Sequence, residues 1–85
     1  MQKLWSDRDW NDYLYWQSQD KKILKRINEL LKDIERNGLM QGLGKPERLR
    51  YADAYSSRID EKHRLVYTVD LHGNLCILSC YGHYE

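Results

Sequence analysis

The stretch Asp20-Lys21-Lys22-Ile23-Leu24-Lys25-Arg26-Ile27-Asn28-Glu29-Leu30-Leu31-Lys32-Asp33-Ile34-Glu35-Arg36-Asn37-Gly38 decides the fold class. Ile23, Ile27, Leu30, Leu31 and Ile34 recur at i, i+4, i+7, i+8 and i+11, the spacing of one face of an α-helix. Asp20 is suited to cap its first turn, and Asn37-Gly38 to supply the left-handed residue that closes it. Upstream, Ser6-Asp7-Arg8-Asp9 reads as a reciprocal capping pair that opens an earlier helix. There Trp10, Tyr13, Leu14 and Gln17 fall at helical spacing, and the pattern breaks near Ser18-Gln19-Asp20. Before it, Lys3-Leu4-Trp5 is a short strand candidate.

Downstream, Leu39 to Pro46 contains Gly42, Gly44 and the only proline, so the chain loops. Arg48 to Arg50, Tyr55 to Ile59, Arg64 to Val69 and Leu75 to Tyr81 are rich in β-branched and aromatic residues, with turns at Asp60-Glu61-Lys62 and His72-Gly73-Asn74. Short turns join antiparallel neighbours. The expected fold is α+β: two N-terminal helices packed on one face of a small, mainly antiparallel twisted sheet of four to five strands, in one domain spanning 1–85. Ile23, Ile27, Leu31 and Ile34 would cover that face and leave the other open for a site.

With 85 residues and 10.3 kDa, a large multi-pocket enzyme is excluded, and three Trp and seven Tyr without any Phe must supply most of the core bulk. No apolar run approaches the roughly 20 residues of a membrane span, and the N-terminus lacks an apolar signal core, so the chain is read as soluble and cytoplasmic. Cys76 and Cys80, four residues apart on a strand, are too distant for a disulfide and are read as reduced packing residues. A zinc set of Cys76, Cys80, His83 and His72 is the weaker alternative, lacking a C-x-x-C pair.

The net charge of +1 hides an uneven distribution, because residues 21–36 carry six bases against three acids. Lys21, Lys22, Lys25, Arg26, Lys32 and Arg36 form either a solvated helix surface or a basic face for nucleic acid. The C-terminal half gathers Lys45, Glu47, Arg48, Arg50, Arg58, His63, Arg64, His83 and Tyr84. Metal-free RNA cleavage needs a base for the 2′-hydroxyl, cations for the crowded phosphorane and an acid for the departing 5′-oxygen. A carboxylate, arginines and an imidazole meet those needs, while each residue alone also fits an ordinary surface role. His63, at a turn, reads as structural. Walker, zinc-protease and serine-hydrolase motifs are missing.

Four blocks carry a more specific signal: Trp10-Asn11-Asp12-Tyr13-Leu14-Tyr15-Trp16-Gln17 leading into Asp20-Lys21-Lys22 and Ile27-Asn28-Glu29-Leu30; Gly42-Leu43-Gly44-Lys45-Pro46-Glu47; His63-Arg64-Leu65-Val66-Tyr67; and Cys80-Tyr81-Gly82-His83-Tyr84. In order and spacing they resemble the YoeB (Txe) branch of the RelE/ParE toxin superfamily over nearly the whole chain. The resemblance implies a RelE-like fold and the toxin half of a type II toxin–antitoxin pair. It further implies a ribosome-dependent endoribonuclease that cuts messenger RNA in the aminoacyl site without a cofactor. The implied partners are a cognate, YefM-like antitoxin, the ribosome with its message and a possible second copy of the chain, for which aromatic-rich helix one offers apolar surface.

Carried over by position, the resemblance makes Glu47 the general base, Arg64 the transition-state cation and His83 the general acid. Arg58 matches a phosphate-holding arginine and Tyr84 the last aromatic that positions substrate. Lys45 and Arg50 complete the substrate-binding set. Relatives reading G-x-W-S-R-R-I have an arginine and a glycine where this chain has Ser57 and Asp53, which leads to an expectation of weakened phosphate binding, and Glu85 extends the usual ending. A non-cleaving inhibitor of the ribosome or of gyrase, or an attenuated toxin, is the competing class, although the gyrase-directed branch lacks the Glu, Arg and His set.

Overall fold

The computed structural model describes residues 2–40, 42–50 and 52–82. Helix α1 (Asp7–Gln19) starts where the Ser6 hydroxyl accepts the Asp9 N–H at 3.2 Å and donates to the Asp9 carboxylate at 2.6 Å. Asp20 both ends α1 and starts α2 (Lys21–Asn37). Its N–H donates to the Trp16 carbonyl, and its carboxylate accepts the N–H groups of Lys22 and Ile23 at 3.0 and 3.2 Å. Gly38, at φ 98°, closes α2 by donating to the Ile34 carbonyl.

Five strands follow the order β1-β5-β4-β3-β2, with β1 at Lys3–Trp5, β2 at Glu47–Arg48, β3 at Tyr55–Arg58, β4 at Arg64–Val69 and β5 at Leu75–Ser79. Every pairing is antiparallel except β1 with β5, so the sheet is mixed. The helices lie against one face. Trp16, Ile27, Leu30, Leu31 and Ile34 meet Ile59, Leu65, Tyr67, Leu75, Ile77 and Cys80 in a single core. The expected α+β architecture is what the chain adopts, with Leu30 joining the α2 stripe and Ile23 only packed at its border.

Helix α1 departs from its expected face. Of Trp10, Tyr13, Leu14 and Gln17, which fall at helical spacing, only Tyr13 packs inward, while Trp10 and Leu14 remain 44% and 40% exposed and Gln17 is exposed as well. The inward stripe is instead Asp9, Tyr13 and Trp16, at i, i+4 and i+7, with Trp16 only 5% exposed. Hydrogen bonding decides this choice: the indole N–H of Trp16 donates to the Cys80 carbonyl at 2.9 Å, satisfying both groups inside the core. Trp10 packs instead with Trp5 and Tyr13 as a surface aromatic cluster.

Strand limits also shift. The strand expected at Arg48 to Arg50 is Glu47–Arg48, because Leu49 already turns to donate its N–H to Ala54. The last strand stops at Ser79 rather than Tyr81, after an irregularity opposite Val66 and Tyr67. Beyond it Cys80 joins the helix-side core, while Cys76 alternates with Leu75 and Ile77 toward the other face. The two thiols are therefore free and do not converge on a common metal position. Burial, reinforced by Asp12 and Asp9, pushes the Cys80 thiol up to about 12, so it stays protonated and inert.

Candidate active site on the sheet face away from the helices

Strand register assembles the site. Glu47 pairs with Ser56, Ser56 with Val66 and Arg58 with Arg64. Cross-strand partners share a face, and so do residues two apart on one strand. Glu47, Ser56, Arg58, Val66 and Arg64 therefore occupy one face, opposite Tyr55, Ser57, Leu65 and Tyr67 on the helix side. Strand spacings put the Glu47 Cα roughly 8 Å from that of Arg58 and roughly 12 Å from that of Arg64. Side chains of this length reach a common phosphate from those positions.

Arg58 and Arg64 stand directly opposite each other, a like-charge pair that destabilises an empty sheet. Neither pairs with an acid among the described residues, and Glu47 makes no ion pair there either. Arg64 is half-buried, and one of its guanidinium nitrogens donates to the Ser56 hydroxyl over a long 3.4 Å. Arg58 is exposed. Two guanidinium groups on one face, without an acid partner among the described residues, suit an anion with several oxygens.

The loop before β2 fixes Glu47. The Asp33 carboxylate of α2 accepts the Leu43 N–H at 3.0 Å and the Asn37 side-chain amide at 2.7 Å. Gly44 is buried, and its carbonyl accepts the Arg58 N–H at 2.8 Å. A Cβ on Gly44 would lie 2.7 Å from Leu30 Cδ2 and 3.2 Å from the Arg58 nitrogen. Lys45 is exposed in the left-handed region at φ 49°, an uncommon place for a residue with a side chain, and Pro46 then leads straight into Glu47. Arg50 is exposed two residues past β2.

The C-terminal arm approaches from the other side. The Arg64 N–H donates to the Gly82 carbonyl at 3.0 Å, so the chain enters His83 directly from a backbone bond to the arginine strand. His83, Tyr84 and Glu85 lie outside the described residues. Glu47, Arg58 and Arg64 are thus brought together, Lys45 flanks Glu47, and Arg50 follows it in the adjoining loop.

Ser57 is not where its place beside Arg58 in sequence suggests. It is 1% exposed on the helix side, its hydroxyl 2.9 Å from that of Tyr67, which donates onward to the Leu39 carbonyl at 2.8 Å. Burial raises the Tyr67 pKa, so the phenol keeps the proton this network needs. Position 57 faces away from the face that carries Glu47, Arg58 and Arg64, so the serine removes no cation from it. Asp53 is taken up by Arg48 at 2.8 Å in a pair exposed to solvent. Ser56 and Gly44 are the site residues that sequence reading missed. Only period-two alternation from Arg58 could have flagged Ser56.

A family described as the YoeB-like toxin of bacterial type II toxin–antitoxin systems matches residues 5–84. The chain belongs to the YoeB toxin family. Among curated YoeB-family relatives, Toxin YoeB of Escherichia coli K12 is 49% identical, covering 99% of this chain and all of the relative. The YoeB dimer structure from Staphylococcus aureus superposes with a TM-score of 0.91 at 49% identity, over 99% of this chain and 98% of the other. The heterotetrameric YoeB–YefM toxin–antitoxin complex from the same organism gives 0.89 at 49% identity, over the same shares. The matched YoeB span takes in Glu47, Arg58, Arg64, His83 and Tyr84 alike.

Proposed function

We propose that this chain is a ribosome-dependent endoribonuclease, the toxin of a type II pair, which cleaves messenger RNA in the aminoacyl site and halts translation. The observation that carries this is the facing Arg58–Arg64 pair, without an acid partner among the described residues, on the same sheet face as Glu47. In the proposed reaction the Glu47 carboxylate takes the 2′-hydroxyl proton and the freed oxygen attacks phosphorus. Arg58 and Arg64 hold the non-bridging oxygens as charge builds on them. The bond to the 5′-oxygen breaks as His83 gives that oxygen a proton, leaving a 2′,3′-cyclic phosphate and a 5′-hydroxyl. The chain supplies base, cations and acid itself, so the steps call for no cofactor.

Tyr84, Lys45 and Arg50 are assigned to positioning the message. The ribosome contributes substrate geometry that a sheet face this small cannot impose alone, a proximity effect. By likeness to the YoeB–YefM complex and the YoeB dimer, a cognate YefM-like antitoxin covers the site and a second copy of the chain can associate. Action on translating ribosomes places the protein in the cytoplasm, and none of the described helices is long and apolar enough to cross a membrane.

Mapping message ends on translating ribosomes in a metal chelator tests the proposal. New 5′-hydroxyl ends at aminoacyl-site codons are expected with the native chain. His83→Gln and Arg64→Ala should lower their yield on the order of 10²–10⁴-fold without unfolding the protein. Ribosomes stalled on intact message would replace the nuclease with a binding inhibitor, and full cleavage by either variant would remove the assigned role.

A further inference from the structure

His63 lies outside the proposed acid–base set, yet its ring makes a directional contact with the arm that carries His83. The Gly82 N–H donates to His63 Nδ1 at 2.9 Å, while the Gly82 carbonyl accepts the Arg64 N–H at 3.0 Å. Gly82 is thus gripped on both sides by two consecutive residues, His63 and Arg64. A backbone N–H can only donate, so Nδ1 must be unprotonated and the bond exists only with the neutral ring. An imidazolium would turn a second N–H toward the first and break the grip.

The ring is itself held firmly. It packs edge-on against Trp16, with centroids 4.7 Å apart, and against Tyr81 at 5.1 Å. The His63 backbone N–H donates to the Asp60 carboxylate at 2.7 Å, and its carbonyl accepts from Ile59 and Asp60. Because Trp16 is anchored to the Cys80 carbonyl, the imidazole is fixed to the core rather than to solvent. Among the described residues, the ionisable groups around it are Asp60, Glu61 and Lys62 of its own turn, Arg64 of β4 and Tyr81 of the terminal arm. On the α1 side Trp16 carries no charge, and Asp9 and Asp12 act on the adjacent Cys80.

We propose that His63 is a positioning residue: its neutral ring holds Gly82 beside Arg64, and through Gly82 it orients the arm that leads into the proposed acid. This rests on the nuclease function proposed above. It makes alignment of the acid depend on a second histidine.

Two variants separate the consequences. In His63→Asn the amide oxygen can take the place of Nδ1 as acceptor and does not titrate, whereas His63→Ala removes the acceptor. The Gly82 amide, followed by ¹H–¹⁵N NMR, should exchange its proton faster in His63→Ala and at close to the native rate in His63→Asn. In ribosome cleavage, His63→Ala should lose on the order of 10–100-fold in kcat, the scale of a misplaced group, with KM little changed. His63→Asn should restore most of that rate.

Gly82 amide exchange unchanged in His63→Ala overturns the grip itself. Equal losses of cleavage in the Asn and Ala variants overturn its effect on the reaction. If the native chain produces no message ends while Gly82 exchange still rises in His63→Ala, the nuclease function and the catalytic consequence fall and the grip stands.

Discussion

Arg58 and Arg64 face each other across β3 and β4, and neither pairs with a carboxylate among the described residues. A directly opposed like-charge pair costs a sheet about 0.2–1 kcal/mol, toward the lower end here because Arg58 is exposed and screened. Such an arrangement is suited to receive an anion between the charges. Arg58→Gln should therefore raise the urea midpoint slightly while lowering ribosome-dependent cleavage about 10–100-fold, the loss of one charge-assisted phosphate contact. A variant that lost both stability and activity would assign Arg58 to the fold instead. At this scale the sequence disclosed the chemical types but not the faces. Ser57 and Arg58 are neighbours in the chain, yet one is sealed against Tyr67 and the other lies on the site, because a strand sends successive side chains to opposite sides.

Elements carry the site through two glycine-dependent connections of different kinds. Gly38 ends α2 at φ 98° with open space around it, whereas Gly44, at φ 77°, sits against Leu30, Ser57 and Arg58. Gly44→Ala should cost about 1–3 kcal/mol from left-handed strain, with a steric push on β3 in addition. Glu47 lies three residues on, so cleavage should fall with stability. Gly38→Ala carries the backbone cost alone and should leave cleavage unchanged. Urea denaturation and end mapping on both variants distinguish a loop that merely turns from one that aims Glu47. The cap at Asp20 and the α2 stripe were legible because local hydrogen bonding and period dictate them. The face of α1 was not, since the bond between Trp16 and the Cys80 carbonyl joins residues 64 positions apart.

At the scale of the molecule, the sheet is closed by a contact that no local pattern announces: β1, from the start of the chain, lies parallel to β5, from its end. Leu75 donates its N–H to the Gln2 carbonyl at 2.8 Å, Lys3 forms an ion pair with Glu35 of α2, and Trp5 packs on Trp10 and Tyr13. The opposite edge is the two-residue β2, too short to template pairing. Removing residues 1–5 would uncover β5, whose sequence Leu75-Cys76-Ile77-Leu78-Ser79 is apolar and without charge. A flat, uncharged edge of that composition recruits other strands. The truncated chain should unfold at lower urea and scatter light at concentrations where the full chain stays clear. A charge placed on the new edge, as Leu78→Lys, should suppress the scattering without restoring the lost stability, because it blocks pairing between chains but rebuilds no contact with α1 or α2. If scattering persisted in the charged variant, association would have to run through the Trp10 and Tyr13 surface uncovered by loss of Trp5 rather than through the strand edge.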